Sequence, residues 1–211
     1  GVQVVHIKTD SVKIPNITPE IVDFCHKFAA KYKYSFNHEA TYDRICLVND
    51  AVYIAKLDKH GIRNKGGKKA NTWTATGTQF KVPYVFKTLF SHEKVNLDDL
   101  SEVKQVKSAL YLNMNEKDGV DDLQFIGRVG NFSPVLPGNG GGILVKPVNK
   151  KDGTVSYDAV TGTKGFRWLE AEMVQELNMI DAIDISYYTK MVDTAVRSIS
   201  EFGDFEWFTS E

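Results

Sequence analysis

The sequence predicts an α+β fold: antiparallel strands carrying a packed helix, followed by a β-rich stretch that ends in helices. Three observations predict it. Segments rich in β-branched residues recur along the chain, as in Val2–Ile7, Val52–Leu57 and Leu123–Val135. Two stretches, Thr18–Lys33 and Ser186–Phe202, instead place apolar residues at helical spacing. Clusters of Gly, Pro, Asn and Asp separate these segments and break any longer periodicity.

Taken in order, Val2–Ile7 and Val12–Ile14 read as two strands of a β-hairpin, with the polar turn Lys8-Thr9-Asp10-Ser11 at its tip. Thr18-Pro19-Glu20 is a helix start, with a capping hydroxyl, a proline in the first turn and then an acid. Ile21, Cys25, Phe28 and Tyr32 give that helix an apolar stripe. Phe36–Val48, Val52–Leu57 and Thr72–Gly77 read as strands, and Val82–Phe90 as a short helix after Pro83. Val106–Asn113 suits either helix or strand. Leu123–Val135, Gly142–Val148 and Val155–Val160 read as strands. Phe166–Leu177 and Ser186–Phe202 read as amphipathic helices, the second with Tyr188, Val192, Ala195 and Ile199 on one face, and DFEWFTSE closes the chain. A boundary near His92–Asp99 divides a module of residues 1–94 from a region of 95–211.

Composition narrows the function classes. With 211 residues and 42% hydrophobic content, the chain can bury a core without staples. Cys25 and Cys46, each among apolar neighbours, read as buried thiols and fit a reducing compartment. No apolar run reaches the roughly 18 residues of a membrane span. The chain opens directly on the strand-like GVQVVHIK, which reads as a piece of a longer polypeptide. His6, His26, His38, His60 and His92 show no ligand spacing with one another or with cysteine, and none takes a role.

The net charge of −1 conceals an asymmetry. Residues 44–94 hold ten basic and three acidic groups, a net +7, whereas residues 166–211 hold three and ten, a net −7. The positive charge concentrates in Asp58–Asn71, where Lys59, Arg63, Lys65, Lys68 and Lys69 lie among Gly61, Gly66 and Gly67. This segment reads as a long, flexible hairpin tip, either solvated or in contact with a phosphate backbone. In the second half, Lys164 and Arg167 flank the Phe166/Trp168 pair, an arrangement that can grip nucleic acid or merely form a structural turn. The glycine run 138–142 lacks the lysine and following helix of a P-loop and reads as a turn.

Thr9-Asp10-Ser11, between two apolar strands, resembles motif C of family B DNA polymerases, Y-x-D-T-D-S, with His6 at the tyrosine position and Lys8 at the first aspartate. Three further elements follow in the family's order. They are the helix Thr18–Lys33, the strand VNDAVYIAK with Tyr53 at the tyrosine of a Lys-Lys-x-Tyr-like motif (Asp50 and Ala51 at its lysines), and ATGTQFKVPYVFKTLF with Gly77 and Pro83 in a Gly…Pro segment. The resemblance covers about residues 2–94 and is nearest to the divergent polymerases of phages and mobile elements; FIGRVGNFSP and AVTGTKGFRWLEAEMV extend it more loosely. It implies the end of a palm with its antiparallel sheet, then a thumb-like region. It further implies that Asp10 is a catalytic, Mg²⁺-binding carboxylate of a two-metal site. The site's other carboxylate, from motif A, and the nucleotide-binding fingers helix would belong to an N-terminal polymerase/exonuclease region outside this chain. Primer–template DNA and dNTP are the implied partners, with backbone contacts from Lys8, Tyr53, Lys59, Arg63, Lys65, Lys68 and Lys69 and from Lys164 and Arg167. The resemblance implies a cytoplasmic setting in a bacterial cell, with a phage or prophage gene. Two other readings stand beside it: a stand-alone nucleic-acid-binding module without metal chemistry, and a structural domain in which the basic loop folds onto the acidic C-terminal helices.

Overall fold

The computed structural model describes residues 2–115 and 120–210. The fold is α+β with antiparallel sheets throughout. Two compact units share the chain. The first takes residues up to Lys81, Leu89–Ser91 and the C-terminal stretch from Ala195; the second takes Val82–Thr88 and His92–Thr194.

In the first unit, β1 (His6–Lys8) and β2 (Ser11–Lys13) form the expected hairpin, though it is shorter than the alternation suggests. Helix α1 (Pro19–Lys31) begins one residue after Thr18, with Pro19 in the first turn, Glu20 at its positive end and Lys31 in the last turn. Its buried side is set by Ala29, with Ile21, Val22 and Cys25 half-buried. Phe28 and Tyr32, expected on the apolar stripe, are exposed and stack beside Phe24 along the outer side. Strands β3 (Ala40–Asn49), β4 (Val52–Ile62) and β5 (Trp73–Thr76) form a sheet in that order. Asn49 Oδ1 accepts from the N–H groups of Ala51 and Val52 at 2.9 and 3.0 Å, which closes the β3–β4 turn. Cys46, Ile54, Ala55, Leu57 and Ala75 are buried, as is Phe80 of the short helix α2 (Thr78–Lys81), which packs on β4 and β5.

β4 runs five residues past its expected end and takes in Lys59, while Arg63, Lys65, Lys68 and Lys69 lie in the connection to β5, the expected hairpin tip. A single 3₁₀ turn, Arg63–Lys65, follows, and main-chain bonds close the loop: Ile62 N to Lys68 O (2.9 Å), Gly67 N to Ile62 O (3.1 Å) and Asn71 N to Asp58 O (3.0 Å). Gly61 permits the closure. Its φ is +59°, and a Cβ there would lie 2.5 Å from the Lys68 carbonyl oxygen, so only glycine fits without moving backbone.

In the second unit five strands align as β10-β7-β6-β8-β9: β6 (Glu102–Asn113), β7 (Leu123–Val135), β8 (Ile143–Asn149), β9 (Val155–Ala159) and β10 (Arg167–Glu170). Leu110, Leu112, Phe132, Leu144, Trp168 and Tyr188 are the centre of its core. The expected helix over Phe166–Leu177 begins as strand: Arg167–Glu170 pairs with Phe132–Val135, burying Trp168 and Leu169, and only then does α4 (Ala171–Glu176) start. The expected helix over Val82–Phe90 is two pieces, α3 (Pro83–Phe86) and one π-helical turn, Lys87–Ser91, stopped by His92 at φ 52°. The ambiguous Val106–Asn113 is strand. Helix α5 (Ile185–Ser200) matches its expected position, and α6 (Phe205–Thr209) lies in the aromatic tail, whose last residue, Glu211, is outside the described residues.

Candidate nucleic-acid interface

Thr9 and Asp10 are the two central residues of the β1–β2 turn, since Lys8 pairs with Ser11. Thr9 takes a positive φ of 24°, an uncommon conformation for a β-branched residue that costs on the order of 1–2 kcal/mol. Asp10 is exposed at the tip, and so is Lys8. Three-residue strands on either side carry the turn that presents this carboxylate.

The base of the hairpin is anchored by one buried side chain. His6 is only 5% exposed. The Lys13 ammonium lies 3.2 Å from its Nδ1, and its Nε2 lies 3.1 Å from the Asp50 carbonyl. An ammonium can only donate, so Nδ1 accepts and Nε2–H is left to donate to the carbonyl. Lys13 also sits 4.9 Å over the Tyr53 ring. Burial, and then the neighbouring charge of Lys8, lowers its pKa from the ordinary lysine value. The Tyr53 ring meets Tyr42 edge-on at 6.5 Å, and burial, then Tyr53, pushes the Tyr42 hydroxyl well above the usual phenol range. Residues far apart in sequence, at the hairpin and at the β3–β4 turn, are thus joined directly. The donor is His6, a residue to which its sequence spacing gave no role; the buried position beside Lys13 and Asp50 is what reveals it.

Lys59, Lys65, Lys68 and Lys69 are exposed and make no ion pair among the described residues. Arg63 differs. Its Nη2 donates to Thr41 Oγ1 at 3.2 Å and lies 3.5 Å from Asp58 Oδ2, which turns the guanidinium toward α1 and β3. Among the described residues no acidic group of the tail pairs with the loop. The tail docks on β3, where Arg44 Nη1 donates to the carbonyls of Trp207, Phe208 and Ser210 at 2.9, 3.1 and 2.8 Å.

Lys164 and Arg167 belong to the second unit. Lys164 is exposed. The Arg167 guanidinium is spent on main chain, with Nε donating to Gly141 O at 2.8 Å and Nη2 to Met114 O at 3.3 Å. Trp168 is fully buried, its Nε1 donating to Thr163 O at 3.1 Å, and the Lys190 ammonium covers the Phe166 ring at 4.8 Å. That turn offers no open aromatic face to a base.

Asp10 presents one oxygen donor suited to a hard divalent cation, which typically takes one or two carboxylates plus substrate phosphates. Among the described residues no group of three His, Cys, Asp or Glu side chains is gathered to hold a metal ion. Among the described residues no helix is long and apolar enough to cross a membrane. No protein-family model, curated protein or solved structure matches the chain.

Proposed function

We propose that this chain is the palm end and thumb-like part of a DNA-directed DNA polymerase of the family B type. In this reading Asp10 supplies one carboxylate to a Mg²⁺ site, and the exposed lysines grip the primer–template backbone. The observation that supports it best is the direct contact between His6 and Asp50: the hairpin with the exposed Thr-Asp-Ser tip is tied to the turn preceding Tyr53, so two segments of the four-part resemblance meet in one structure.

The chain's own residues divide the work. The hairpin tip presents the Asp10 carboxylate where a cation and a triphosphate can reach it. When bound, a divalent cation stabilises the charge that develops on the transferred phosphoryl group. The remaining ligands would come from water, substrate phosphates and a carboxylate outside this chain. Lys59, Lys65, Lys68 and Lys69 bind phosphates without reading sequence, as a replicating enzyme requires. Arg63, turned toward α1 and β3, and Arg167, bonded to main chain, are left out of this set. The enzyme would act in the cytoplasm of a bacterial cell, from a phage or prophage gene.

The test is primer extension by the polypeptide that carries this chain. Asp10→Asn keeps the shape and removes the charge; catalysis should fall by at least about a hundredfold while duplex affinity changes little. Normal extension by the variant would show that the Thr-Asp-Ser turn is only a turn. The second reading, a nucleic-acid-binding module without metal chemistry, is favoured by the lone carboxylate at the tip. It predicts DNA binding by the loop and no dependence of any activity on Asp10.

A further inference from the structure

The first unit also holds a cleft of about 470 Å³ between the N-terminal half of α1, the start of β3 and Arg63. That size falls in the range of small-molecule sites, roughly 300–1,000 Å³. Its polar lining is the Arg63 guanidinium, the imidazoles of His26 and His38, the hydroxyls of Thr18 and Thr41 and the Asp23 carboxylate, beside apolar Ile17, Pro19 and Val22. We propose that this cleft binds the phosphate group of a small phosphorylated molecule, with Arg63 as the charged anchor and His26, His38 and Thr41 as its hydrogen-bonding wall.

Arg63 is positioned for this role. Its backbone N–H donates to Glu39 O at 2.7 Å, which fixes it beside β3. Both side-chain partners, Thr41 Oγ1 and Asp58 Oδ2, use Nη2. A guanidinium carries five N–H donors and each of its bidentate faces includes Nη2, so an incoming oxyanion is met by Nη1–H or Nε–H singly, beside the Nη2 contacts. Thr41 Oγ1 is shared with His38 Nε2 at 3.0 Å, so the wall and the anchor are one connected network. Burial, then the positive charge of Arg63, lowers the His38 pKa from the ordinary imidazole value. The acidic member of the lining, Asp23, is exposed and held by Lys27 at 2.6 Å, one turn along α1. A metal ion fits less well, because no three-ligand group is gathered among the described residues. The proposal does not depend on the polymerase reading.

The experiment is a proton NMR titration of the histidine resonances of this chain, five in all. Sodium phosphate is added at fixed pH, against sodium chloride at equal ionic strength. The His26 and His38 signals should shift saturably with phosphate and not with chloride. Arg63→Gln should raise the dissociation constant at least about tenfold, the loss expected for one charge-assisted contact. His26→Gln, at an exposed position that the fold tolerates, should raise it by about threefold or more and covers the case in which Arg63→Gln fails to fold. A deoxynucleoside monophosphate that binds more tightly than phosphate identifies a free nucleotide as the source. Tighter binding of a 5′-phosphorylated oligonucleotide, with none by its 5′-hydroxyl form, identifies a nucleic-acid end. Equal shifts with chloride, or unchanged affinity in either folded variant, overturn the proposal.

Discussion

Replacing Lys65, Lys68 and Lys69 together by Gln tests the basic loop, because the structure separates their charge from the loop's fold. The loop is closed by main-chain bonds from Ile62, Gly67 and Asn71, and none of the three lysine side chains takes part. Gln keeps most of each alkyl stem, and it suits Lys69, whose φ is 61°, no worse than lysine does. The variant should therefore fold like the parent with three fewer charges. All three lysines are exposed and without an ion pair among the described residues, so a phosphate would displace only solvent and counterions. Each duplex phosphate neutralised changes the log–log salt slope by about 0.9, so three contacts give at most about 2.7. Between 50 and 200 mM salt, a slope difference of about 2.7 amounts to roughly a 40-fold difference in how far affinity falls. The assay is fluorescence anisotropy on two unrelated duplexes at four or more salt concentrations. The slope should flatten equally on both, since phosphate contacts carry no base information. Parallel salt lines for parent and variant would refute the reasoning and leave the loop as a solvated end of β4. Flattening on one duplex alone would contradict a backbone-only grip.

Other consequences can be measured separately. Asp10→Asn in the polymerase that carries this chain should abolish most primer extension while preserving duplex affinity, measured by extension and by anisotropy on the same preparations. Gly61→Ala should destabilise the first unit by about 2–4 kcal/mol, because φ is +59° and the added carbon meets backbone at 2.5 Å; urea denaturation should show a lower midpoint, and an unchanged one would mean the loop shifts freely. Tyr188 is fully buried and its Oη has no hydrogen-bond partner among the described residues, so Tyr188→Phe should be neutral or stabilise by up to about 1 kcal/mol in thermal unfolding. A loss above about 1 kcal/mol there would reveal a partner for the hydroxyl.

The sequence by itself determined what depends on near neighbours. Alternation and a polar turn located the β1–β2 hairpin with Asp10 at its tip; proline, the following acid and apolar spacing located α1 and α5 to within two or three residues. The cluster of lysines was equally plain, because charge counts need no fold. Only the tertiary structure decided the rest. Arg167–Glu170 became a strand because β7 offered an open edge more than thirty residues upstream, and burying Trp168 and Leu169 there outweighs the helical spacing of the segment. Arg167 was thereby drawn to the carbonyls of Gly141 and Met114, although its neighbours in sequence suggested a nucleic-acid grip. The basic loop is closed by main-chain bonds because Gly61 lets β4 meet the backbone of Lys68, a closure that glycine content alone could not reveal. Arg63 left the lysines for Thr41 and Asp58, and His6 found the carbonyl of Asp50 across forty-four residues. Local preference is a matter of tenths of a kcal/mol per residue. Burial of a large side chain, or satisfaction of a buried polar group, is worth about 1–3 kcal/mol, so where the two conflict the distant partner wins.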